Sequence, residues 1–159
     1  MTTRIVGLKA ASCLLCLVSA CAGTQRDRVT PLSPSVVNAD PSAYDGKQVA
    51  IVGYIILGPE THVMYESRAL HEEFGRKFDK NPPDFDPKSY SRYCLTLDNS
   101  KFLDQHRSTF SGRTLRLKGV FKSNYLDGSI VDLGACPLPT ALSLDEKDVE
   151  DLYKKLTAR

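Results

Sequence analysis

The chain has no long hydrophobic run, and that shortage bounds what it can be. Its longest apolar stretch, Ala10 to Ala20, is eleven residues. As a helix it rises only about 16 Å against a hydrocarbon core of about 30 Å, which excludes a permanent membrane span. No glycine-rich loop precedes a helix-like segment, so a backbone cradle for phosphate has no support. No Gly-x-Ser-x-Gly elbow is present, and nothing else marks an activated nucleophile. Histidine is scarce: His62, His71 and His106 stand far apart, with no i, i+4 pair to gather metal ligands locally. No cofactor is expected. A metal-dependent hydrolase, the alternative enzyme reading, needs His62 and His71 to meet nearby glutamates (Glu60, Glu66, Glu72, Glu73) through the fold.

What is present begins at the N-terminus. Arg4 and Lys9 form a positive region, the apolar stretch follows, and Ser19 and Ala20 supply small side chains before Cys21. This three-part order is that of a secretory signal peptide over residues 1–20. The run Leu17-Val18-Ser19-Ala20-Cys21 resembles the lipobox of bacterial lipoproteins. The resemblance implies cleavage before Cys21, a thioether from its thiol to diacylglycerol, and acylation of its new amine. Three acyl chains hold a protein stably on a membrane, where one does so only marginally. Ala22 stands where such proteins carry an Asp for inner-membrane retention, so the resemblance favours the outer membrane, on its periplasmic side.

Cleavage changes the composition. The full chain has 21 Lys+Arg and 19 Asp+Glu. Arg4 and Lys9 are the only charged residues among the first twenty, so the remainder carries 19 of each sign. A balanced domain offers no basic stripe for phosphates, and no nucleic-acid partner is expected. Of five cysteines, Cys13 and Cys16 leave with the signal and Cys21 takes lipid. Cys94 and Cys136 remain as an even pair, which in an oxidising compartment reads as one disulfide.

The chain after cleavage suits one domain. Residues 21–42, polar and rich in Pro and Ser, read as a flexible tether, leaving 43–159 as the folded unit. An internal echo organises it: Tyr44-Asp45-Gly46-Lys47 leads into Val49, Ile51 and Gly53, as Phe110-Ser111-Gly112-Arg113 leads into Leu115, Leu117 and Gly119. Alternating aliphatics place one strand face in a core, and the inner glycines mark bends. Further strands are expected at 62–66, 93–97 and 129–133, the last entered through an Asp127-Gly128 turn. Helices are expected from Ser67 to Phe78, capped by Ser67, and from Ser100 to Phe110. The segment up to Ser91 reads as an exposed loop. Ser143 and Glu146 suggest a capping box for a final helix whose Val149, Leu152, Tyr153 and Leu156 form one apolar stripe.

Five strands with a helix between the third and fourth is the order of an OB-fold barrel. The run from Tyr44 to Tyr54, with its later counterpart Gly112 to Gly119, resembles OB-like domains of bacterial exported proteins. The expected class is mainly β with helices: a small OB-like five-stranded barrel, an inserted helix and loop at 67–91, and a C-terminal helix. Such barrels bind through an aromatic open face, which makes Tyr54, Tyr65 and Tyr125 the candidate contacts. The expected function is a membrane-anchored binding or interaction module of the cell envelope, with a protein or glycan as ligand. A structural assembly factor docking through the C-terminal helix is the remaining alternative.

Overall fold

The computed structural model describes residues 31–59, 61–126, 136 and 138–158. Residues 1–20, Cys21, residues 22–30 of the expected tether and the expected strand 129–133 with its turn therefore lie outside the described residues. Five strands form a closed barrel: β1 (Gln48–Leu57), β2 (His62–Tyr65), β3 (Cys94–Asp98), β4 (Arg113–Lys122) and β5 (Ala141–Leu144). Their order is β1-β2-β3-β5-β4, and every pairing is antiparallel except β3 with β5. Seven helices accompany them among the described residues: α1 (Pro34–Ala39), α2 (Pro41–Tyr44), α3 (Arg68–Lys80), α4 (Lys88–Ser91), α5 (Lys101–Gln105), α6 (Arg107–Phe110) and α7 (Glu146–Thr157). This is the expected small five-stranded barrel with helices, but its fifth strand is Ala141–Leu144, a segment in which the strand pattern marks no strand. None of these helices is long and apolar enough to cross a membrane.

Period-two patterning builds the interior. Ile51 and Ile55 of β1, Met64 of β2, Leu95 and Leu97 of β3, Leu117 and Phe121 of β4 and Leu142 of β5 are all buried in one core. On β4, Arg116 and Lys118 face solvent on either side of buried Leu117, as the sequence predicts, while Arg113 is exposed at the start of the strand. Gly53 and Gly119 occupy points where neighbouring strands press close. A Cβ at Gly119 would stand 2.2 Å from the Ser143 carbonyl oxygen, and one at Gly53 would stand 2.3 Å from Met64 Cγ. Close approach, more than bending alone, fixes both glycines.

The strand directions give the barrel two distinct ends. At one end β2 starts and β1, β3 and β5 finish; α5 and α6 close it, with Leu103 and Phe110 buried against the core. At the other end β1, β3 and β5 start, and α1 and α2 close it. Here the expected tether is corrected. Leu32 bridges Ile51 in parallel, accepting from Val52 N–H and donating to Ala50 O, both at 2.8 Å. Val37 of α1 is 0% exposed within the main core. Asn38 donates to Arg92 O and Cys94 O and accepts from Thr140 Oγ1. Residues 31–42 thus belong to the folded unit, because β1 has no partner strand along its first half on that side and Leu32 supplies one.

Three smaller corrections follow. The capping box is not formed: Ser143 lies in β5, where Leu142 and Leu144 alternate into the core, and Asp145 caps α7 by accepting from Asp148 N–H. The helix expected over 100–110 divides at His106 into α5 and α6. The expected loop before Ser91 contains the single helical turn α4. Ser67 does cap α3, accepting from Leu70 N–H at 3.2 Å.

Candidate functional site

Outward-facing residues of β1, β2 and β3 alternate with the core set, and on an open OB-like barrel they would meet a ligand. In this protein that face is covered. Tyr54, Val63, Tyr65, Cys94 and Cys136 form a second buried cluster, with Ile56 packed against it. Tyr54 is 8% exposed and Tyr65 4%, so neither is an open contact. The cover is α3, which lies over the Tyr54–Tyr65 pair and sets the His71 ring 5.7 Å from Tyr54 and 4.8 Å from Tyr65. The Cys94–Cys136 disulfide closes the same face, with Cα atoms 5.7 Å apart. Burial raises the Tyr65 phenol above its usual pKa. It pushes His71 below the ordinary imidazole value, partly opposed by Glu72. His71 Nδ1 is buried without a hydrogen-bond partner. The third candidate, Tyr125, stands apart from that cluster; its N–H donates to Pro139 O beyond the end of β4.

The side chains required by the hydrolase reading are engaged elsewhere. His62, at the start of β2, pairs with Asp104 of α5 at 2.8 Å, and Asp104 also takes Arg107 at 3.2 Å. His71 projects from α3 onto the barrel's outer face, between Tyr54 and Tyr65. Glu66 accepts from Ser35 N–H, Glu72 pairs with Arg68, and Glu73 binds both Lys77 and Tyr90. Glu60 lies outside the described residues. Among the described residues no three His, Cys, Asp or Glu side chains gather as a metal site. His106 stacks on Tyr153 at 4.1 Å and tightens the contact between α5 and α7. The α7 stripe faces inward, with Val149 buried and Leu152, Tyr153 and Leu156 packed on the core.

Two surfaces stand out among the described residues. Between β4 and α7 lies a groove of about 270 Å³, lined by Arg116, Lys118, Lys155, Asp148, Asp151 and Leu152 among others. Lys118 pairs with Asp148 across it at 3.3 Å, so it presents both signs of charge. The second surface is the insertion between β2 and β3. Phe74, Phe78, Phe85 and Tyr90 form a ring cluster with centroids 5.5–6.5 Å apart. Phe78 is 60% exposed at its edge. The four-residue steps Leu70, Phe74 and Phe78 mark one helix face in the sequence. That Phe85 and Tyr90 fold back onto it is not a local property, and sequence spacing does not reveal it. No protein-family model, curated protein or solved structure matches the chain.

Proposed function

We propose that this chain is a lipid-anchored interaction module of the bacterial cell envelope, held through Cys21 on the periplasmic side of a membrane. Ala22 favours the outer membrane. The observation that carries this reading is the Cys94–Cys136 disulfide. With Cys13 and Cys16 removed and Cys21 lipidated, those two cysteines are the whole remaining set, and a structural disulfide persists in an oxidising compartment. The N-terminal order of charge, apolar stretch, small residues and cysteine supports the same address.

Since α3 covers the tyrosine face, the partner surface we assign is the groove between β4 and α7. Its mixed charges suit a protein segment or a glycan, and the balanced charge of the domain speaks against nucleic acid. Fractionating cells that make wild-type protein and the Cys21→Ser variant tests the anchor. Wild type should pellet with membranes and the variant should not; equal membrane association of both would contradict the reading. Crosslinking from the native envelope, compared with Lys155→Glu, then tests the groove: a specific adduct weakened by the substitution is expected.

A further inference from the structure

We propose that the α3–α4 insertion is the face this domain lays on the bilayer, with Phe78 entering the headgroup layer. The inference rests on the lipid anchor at Cys21 and says how the anchored domain is oriented. Cys21 and Pro31, where the described chain begins, are ten residues apart, a reach of at most about 35 Å. The chain then pairs at Leu32 and enters α1, so the anchor point must stay within that distance of the α1 end of the barrel.

The insertion leaves and rejoins the barrel at this same end, since β2 finishes and β3 starts there. α1 is bonded to both of its roots: Ser35 N–H donates to Glu66 Oε2 at 2.9 Å, and Asn38 donates to Arg92 O and Cys94 O. The exposed large apolar side chains among the described residues are Phe78 (60%), Val36 (45%) and Val120 (37%). Val36 lies on α1, Val120 pairs with Gln48 at the start of β1, and Phe78 belongs to the insertion rooted there. Val36 and Val120 stand on elements of the end to which the anchor leads, and α3, which carries Phe78, is rooted there.

The chemistry of the insertion suits the interface between water and acyl chains. Phe74 and Phe85 back the Phe78 ring, so it is held outward by packing. Lys77, the neighbouring residue, lies over the Tyr90 ring of the same cluster while pairing with Glu73. Its stem lies along apolar surface in the way that suits an interface. Arg76 and Lys80, two steps from Phe78, turn to the other side of the helix. Asp79, Asp84 and Asp86 offset these cations, so the contact depends on the anchor's proximity more than on anionic lipid. An anchored neighbour needs little affinity of its own, because linkage raises its effective concentration.

The chain contains no tryptophan, so Phe78→Trp introduces a single indole, excited selectively over the tyrosines. The chain from residue 21, which contains every described residue, is coupled through Cys21 to a maleimide phospholipid in phosphatidylethanolamine–phosphatidylglycerol vesicles. Flotation verifies the coupling. Expected for Phe78→Trp are a blue shift of the indole emission by several nanometres and quenching by brominated acyl chains, with neither seen for Phe102→Trp at the opposite end. Amide exchange of uncoupled and coupled wild type, slowed over 76–81 on vesicles, gives the same answer without substitution. Unchanged emission and exchange, or equal quenching at both positions, would overturn the proposal. So would protection of 76–81 only in complexes extracted from the envelope, which would assign the face to a protein. Because the coupling is chemical, none of these failures bears on whether Cys21 carries lipid in the cell.

Discussion

Gly119 shows how one atom can be excluded by topology. β5 crosses β4 at this position, and the Ser143 carbonyl occupies the space a side chain would need. Neither the glycine nor a backbone oxygen can yield without opening the barrel seam. Gly119→Ala should cost about 2 kcal/mol or more, read as a lowered urea midpoint at unchanged slope. His71 makes a different residue-scale prediction. Its burial between Tyr54 and Tyr65 lowers its folded pKa, so the neutral ring is the form that packs. The stability it contributes is full above the unfolded value of about 6.5 and is lost as pH falls through that value toward the folded one. The opening free energy of α3, from amide exchange corrected for the base-catalysed intrinsic rate, should therefore fall between pH 7 and 5 in wild type, and this dependence should flatten in His71→Asn. An identical pH dependence in the variant would contradict the assignment.

At the scale of elements, α1 is the segment whose role changes most. A six-residue helix with one inward valine has no visible periodicity, and its Pro and Ser content reads as linker. Only the first half of β1, paired with β4 but open on its other side, explains why this segment docks. Val37→Ala should cost about 2 kcal/mol, as a buried truncation does and a tether substitution would not; thermal unfolding checks it. For α7 the choice of cap separates two readings. Asp145→Ala should lower stability by about 1 kcal/mol by leaving the Asp148 N–H without its acceptor. By contrast β1, β4 and the α3 cap were legible, because period-two aliphatics and Ser67 act through neighbours in the chain. Tyr54 and Tyr65 were legible only as outward-facing; what covers them arrives from α3, and that contact is set by the fold.

For the whole molecule, the barrel is sealed at both ends by helices and on its tyrosine face by α3 and the disulfide. The Cys94–Cys136 bridge closes a loop with a sequence separation of 42 that includes β4. Its removal in the Cys94→Ala, Cys136→Ala double variant should cost on the order of 4 kcal/mol through the entropy of the unfolded chain. This dependence suits a domain working where thiols oxidise, and it ties the fold to the address proposed for Cys21. The most direct test of that address is the intact mass of the protein extracted from its own envelope with detergent. The account predicts a chain beginning at residue 21, with the added mass of a diacylglyceryl thioether and an amide-linked acyl chain on Cys21. An unmodified Cys21, or a chain that retains residues 1–20, would contradict it.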